Sequence, residues 1–127
     1  MQDRQLFEYA VIRVVPRVER EEFMNIGVIL YCARKKFLKC VFSLDKKRLS
    51  AFSAELDIAE VNSHIESITR ICSGEKGSGP IGALDLPSRF RWLTATRSTI
   101  IQSSKVHPGF CLDPEDTLAR LCKELVL

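Results

Sequence analysis

Two histidines, His64 and His107, are all this chain offers for acid–base work near neutral pH. His107 stands in Val106-His107-Pro108-Gly109, close to Ser103, Ser104 and Cys111, a grouping in which a Cys-His nucleophile pair can be imagined. Such a pair also needs a third group to orient the base, and one His near one Cys arises often by chance, so His107 reads as a turn histidine. His64 falls beside the apolar stripe of a predicted helix, the place of a half-exposed boundary residue. Gly74-Glu75-Lys76-Gly77-Ser78-Gly79 has the composition of a phosphate cradle but not its setting. A P-loop opens a helix after a strand, whereas this segment follows a helix and runs into Pro80.

The arginines carry more information. Arg13 alternates with Tyr9, Val11 and Val15 along one face of a predicted strand, so an otherwise apolar sheet surface presents a guanidinium that some carboxylate, phosphate or partner element must meet. Arg89, Arg91 and Arg97 flank Trp92, an arrangement that suits nucleotide stacking and equally a salt-bridged surface around a half-buried indole. Glu19, Glu21 and Glu22 make the connector after the first strand acidic, and Glu22 with Asn25 can either meet those arginines or stay solvated. The acidic residues form no metal cage, and neither a metal nor another cofactor is expected.

The elements that must position these residues follow from patterning. The chain has 127 residues, 46% of them hydrophobic, and 19 Lys+Arg against 16 Asp+Glu give a net charge of +3. This suits one domain over residues 1–127, able to bury about two-thirds of its unfolded surface. The charge excess is mild for a protein that lives by gripping phosphates, so nucleic-acid binding is possible but not favoured. No apolar run approaches the roughly 18 residues of a membrane span, and the start lacks a secretory profile, which predicts a cytoplasmic protein. The five cysteines are odd in number and 8, 32, 39 and 11 residues apart, so they read as reduced core or half-buried thiols.

EYAVIRVV at 8–15 is dense in β-branched residues and stops at Pro16, the mark of a strand; apolar runs at 25–32 and 37–44 are joined by a linker short enough for a hairpin. A short helical turn is expected from Asp45 to Phe52. A longer helix follows Asp57, with Ile58, Val61, Ile65, Ile68 and Cys72 on one stripe. Residues 74–83 read as a flexible glycine-rich loop, 86–93 as a short helix or a strand, 98–103 as a strand and SKVHPGF as a turn. The last helix has its cap at Asp113, Pro114 in the first turn and a stripe of Leu118, Leu121, Cys122, Leu125 and Val126. The order β-β-β-α-α-β-α predicts an α+β fold: a mainly antiparallel sheet of about four strands, helices packed on one face, and a C-terminal amphipathic helix.

Taken together, YAVIRVVP, EEFMNIGVILY, RFRWL, RSTIIQSSKVHPGF and DPEDTLARLCKEL resemble an uncharacterised bacterial family, domain-of-unknown-function family 3037, over nearly the whole chain. The resemblance carries over to Arg13, Glu22, Asn25, Gly27, Trp92, Arg97, Ser98, Gln102, Ser104, His107 and Gly109. Lys105 departs from the more neutral residue expected before Val106, and the glycine loop is idiosyncratic. The resemblance implies a compact bacterial cytosolic protein and hints at a HipA-like kinase as companion. Within it, Arg13, Glu22, Asn25, Arg97, Gln102 and His107 are polar residues at or beside predicted strand ends. Such a set builds either a buried hydrogen-bond network or an anion-binding pocket. The expected function is a non-enzymatic binding or regulatory module acting with a protein partner. One alternative is a small enzyme on a phosphorylated or nucleic-acid substrate, with Glu22 or His107 as acid or base and Arg13 and Arg97 stabilising negative charge. The other is a nucleic-acid binder using the arginines and Trp92.

Overall fold

The structure, a computed structural model, describes residues 4–95 and 99–127. Its frame is an antiparallel sheet in which β1 (Gln5–Val14) pairs with β2 (Met24–Cys32), and β2 pairs with β3 (Phe37–Phe42) at one edge. A 3-10 turn at Val18–Arg20 lies between β1 and β2. The other side of β1 is covered by two short strands. β4 (Ile101–Ser103) pairs with its second half and β5 (His107–Cys111) with its first.

Two irregularities shape this sheet. Ile12 opposes Gly27 while Arg13 opposes Asn25, so Ile26 is the extra residue of a bulge in β2, and its carbonyl accepts from the Ser43 amide at 2.8 Å. On the far side, Ile12 opposes Ser103 and Tyr9 opposes His107, leaving residues 104–106 to face only Ala10 and Val11. Ser104 bridges that break, its amide donating to the Val11 carbonyl at 2.8 Å and its hydroxyl accepting from the Val11 amide at 2.8 Å.

The expected helices form, each started by the aspartate that the sequence supplies. Asp45 accepts from the Arg48 amide to open α1 (Lys46–Phe52), and Asp57 accepts from Ala59 and Glu60 to open α2 (Ile58–Ser73). Asp85 accepts from Ser88 at α4 (Leu86–Leu93), which settles 86–93 as helix. Asp113 accepts from Glu115 at α5 (Pro114–Leu125). Between α2 and α4 the glycine-rich segment is not a plain loop. It contains a helical turn, α3 (Gly79–Gly82), with Pro80 near its start, where a missing amide costs nothing.

The α+β class and antiparallel sheet are as the sequence predicts, but the helices divide between both faces. Ala10, Ile12, Val14 and Ile29 share one core with Leu49 of α1, Val61 and Ile71 of α2, and Phe90 and Leu93 of α4. Phe7, Val28, Leu30 and Cys32 face the other way and pack on Leu118, Leu121 and Cys122 of α5. The reason lies in β2, where Val28, Ile29 and Leu30 are successive and fully buried, so both sides of that strand need cover. Each leucine that α5 seals contributes roughly 1.5–3 kcal/mol. SKVHPGF is likewise strand rather than turn from His107 to its end at Phe110. The first half of β1 needs a ladder partner there, and Pro108 is tolerated because β5 is an edge strand. Among the described residues no helix is long and apolar enough to cross a membrane.

Candidate functional site

The end of β1 gathers three of the six polar residues into one row. Arg13 is flanked by its register partners Asn25 on β2 and Gln102 on β4. The bulge at Ile26 matters here because an extra residue reverses the alternation of the strand before it, bringing Asn25 to the α5 face. There its amide nitrogen donates to the Leu125 carbonyl at 3.1 Å, fastening the end of α5 to the sheet. Gln102 donates to the Thr99 carbonyl at 2.8 Å. These two amides are thus structural ties, and Arg13 stands between them.

Arg13 itself is half-buried and lies over the Phe23 ring, with its guanidinium carbon 4.1 Å from the ring centre. Its Nε is buried without a hydrogen-bond acceptor, and among the described residues no carboxylate lies within ion-pair distance of it. Beside it, the break between β4 and β5 opens a cleft of about 670 Å³ lined by Arg13, Thr94, Ser103, Ser104, Lys105 and His107, among others. The lining offers three basic side chains, three hydroxyls and no acid. His107 projects from the start of β5, exposed, with its ring 5.3 Å from that of Tyr9.

The remaining sequence candidates go elsewhere. Glu22 does not join Arg13. It pairs with Arg20 and lines a separate cleft of about 340 Å³ with Pro16, Arg17, Phe52 and Glu55, where Arg17 also meets Glu55 at 3.6 Å. The charges of that second cleft satisfy one another, which leaves it no call on an outside ion. Arg97 lies outside the described residues. Of the arginines around Trp92, Arg89 is structural: it is buried, and its Nη1 donates to the Ile71 and Cys72 carbonyls, each at 2.9 Å, closing the end of α2. His64 is exposed and sits 4.0 Å from Glu60 one turn earlier.

Sequence reasoning missed Phe23 and Thr94, and named Ser103 and Lys105 without placing them beside Arg13. Phe23 was visible as an aromatic two residues before Asn25, but only the return of the chain along β1 places it under Arg13. The two motif glycines have a packing reason. A Cβ would stand 2.4 Å from Phe42 Cδ1 at Gly27 and 2.6 Å from Phe7 Cζ at Gly109.

An α+β domain with a donor-rich cleft at a broken sheet edge is what the fold and site define. The chain belongs to the DUF3037 family of proteins of unknown function, whose family model matches residues 9–126. No curated protein and no solved structure matches the chain.

Proposed function

We propose that this chain is a non-enzymatic module of the bacterial cytoplasm that works by binding a protein partner, and that the Arg13 cleft receives an acidic group of that partner. The observation carrying this reading is the Arg13 guanidinium, half-buried on Phe23 with Nε facing no acceptor. Desolvating a cation without giving it a counter-charge is unfavourable unless something arrives to supply one. Lys105 and His107 line the same cleft and likewise meet no carboxylate among the described residues, so the cleft favours an anionic side chain. An exposed apolar rim suits a protein better than a small solute. Phe23 is 47% exposed and Val106 37%, and both adjoin the basic groups. The enzyme alternative is weakened by Glu22, which pairs with Arg20 rather than facing the arginine it was to assist.

The test is affinity purification of the tagged chain from its own host, beside Arg13→Ala and Lys105→Ala variants whose fold is checked by circular dichroism. A stoichiometric protein retained by the parent and lost from folded variants is the expected result; the HipA-like kinase implied by the family resemblance is the first candidate. A companion held equally by all three, or none with any, overturns the reading. Turnover of a phosphorylated or nucleic-acid substrate that Arg13→Ala abolishes would replace it with the enzyme.

A further inference from the structure

The sheet ends at β3 on the side away from the Arg13 cleft, and its two outer edges are built differently. Beyond β1 the edge is broken at residues 104–106, and Pro108 has no amide to offer, so a further strand finds no continuous ladder there. β3 runs six residues without a proline, a glycine or a bulge. Its Leu38, Cys40 and Phe42 pack on the core of α2 and its Phe37 and Val41 on that of α5, while its outer flank meets no other strand among the described residues.

The main-chain groups along that flank follow from the ladder. The Ser43 amide donates to the Ile26 carbonyl at 2.8 Å, one step beyond the Gly27–Phe42 pair. Bonded pairs alternate in an antiparallel ladder, so Phe37, Lys39 and Val41 turn their main-chain groups to β2, and Leu38, Cys40 and Phe42 turn theirs outward. Three N–H donors and three C=O acceptors thus stand in one row at the edge of the sheet.

Charge marks what fits there. Between residues 34 and 48 the chain carries seven basic residues and a single acid, Asp45, whose carboxylate is engaged in capping α1. Arg34, Lys35 and Lys36 lie in the turn before β3, and Lys46, Lys47 and Arg48 begin α1 just after it. All six are exposed, and among the described residues none of them has an ion pair; Lys39, within β3, meets Glu115. A second copy of β3 laid against the first would bring these like charges together, so the edge repels its own kind. A nucleic-acid strand would neutralise the cations, but its phosphates only accept hydrogen bonds and would leave the outward carbonyls unmet.

We propose that the outer edge of β3 receives an acidic, extended segment of another protein as a sixth strand. The main chain of that segment bonds Leu38, Cys40 and Phe42, and its carboxylates meet the basic groups at either end of β3. The surface lies at the opposite edge of the sheet from the Arg13 cleft, so it stands or falls independently of what that cleft binds.

The test is a titration of the isotope-labelled full chain with the peptide acetyl-Glu-Glu-Val-Thr-Val-Glu-Glu-amide, followed by amide NMR shifts and hydrogen exchange. Saturable binding is expected, in which the amides of Leu38, Cys40 and Phe42 gain about tenfold or more protection while those of Phe37, Lys39 and Val41, already bonded to β2, gain less. The same peptide N-methylated at its three central residues is expected to bind about tenfold more weakly or worse, and so is the parent peptide on an Arg34→Glu/Lys47→Glu variant. No saturation by about 1 mM peptide overturns the proposal. Equal binding of the N-methylated peptide also overturns it, since charge then attracts without a strand forming. A single-stranded oligonucleotide that shifts the same amides at lower concentration assigns the edge to nucleic acid instead. Shifts confined to the residues around Arg13 overturn the β3 proposal and leave the binding role of the cleft standing.

Discussion

Arg13 and Phe23 come from segments ten residues apart, yet the guanidinium carbon of one lies 4.1 Å from the ring centre of the other. The turn between them folds β2 back along β1, and the bulge at Ile26 sets the final approach. Arg13 also lines the cleft, and its buried Nε has no hydrogen-bond acceptor.

Replacing Arg13 therefore leaves the fold standing. Arg13→Ala forfeits a cation–π contact worth about 0.5–2 kcal/mol while relieving an unsatisfied buried donor, so the net change in stability is expected within about 1 kcal/mol. Thermal unfolding checks this. A collapse of the melting temperature would mean that Arg13 is a structural residue and the cleft an accident of packing.

Leu121 is 6% exposed in the core beneath α5. Leu121→Asp places an unpaired carboxylate among apolar side chains and removes a major contact of the helix, a loss of about 4 kcal/mol or more. The variant is expected to be unfolded at room temperature by circular dichroism.

Gly74 ends α2 with a φ of 67°, and a Cβ there would stand 2.6 Å from Arg89 Nη1. Gly74→Ala thus strains the backbone and displaces the guanidinium that closes the helix. A loss of roughly 1–3 kcal/mol is expected in urea unfolding, with the midpoint lowered and the slope unchanged.

The Lys76 ammonium touches neither cleft and forms no ion pair among the described residues. Lys76→Ala is expected to change stability by less than about 0.5 kcal/mol and to leave partner capture intact. Loss of capture would bring the glycine-rich segment into the binding surface.

Asp85 supplies the pH dependence. The Ser88 side chain, then the Ser88 amide, holds its carboxyl below the ordinary value of 3.8. A depressed folded value means that the cap is fully stabilising above 3.8 and is lost as pH falls through the lower folded value. Amide exchange at the start of α4 is expected to speed up across that acid window, and in Asp85→Asn the acceleration is expected to disappear.

The sequence was most readable where one physical rule acts alone. The aspartates at 45, 57 and 113 start three helices as predicted, because a cap needs only its own side chain and the next turn of backbone, and Asp85 starts the one segment left between helix and strand. The apolar spacing of α2 and α5 was equally plain. Legibility ended where partners are remote. His107–Gly109 looked like a turn because Pro and Gly punctuate local structure, but the unpaired half of β1 recruits them into a strand. Glu22 and Asn25 lie three residues apart, yet the bulge at Ile26 and the pull of Arg20 send them to different places. Alternation along β2 was visible on neither face because both are apolar, which hid the split of helices between the two sides.

The break at Ser104 joins residues 93 positions apart, and its hydroxyl and amide both engage Val11. A chain emerging from the ribosome can form the β1–β2–β3 meander and the α2 core from its own nearby contacts, whereas the outer flank of β1 must wait for the segment beyond residue 100. Until then the Arg13 cleft has one wall. Under the proposed binding role, the partner would meet a two-walled cleft only on chains whose synthesis has run past His107.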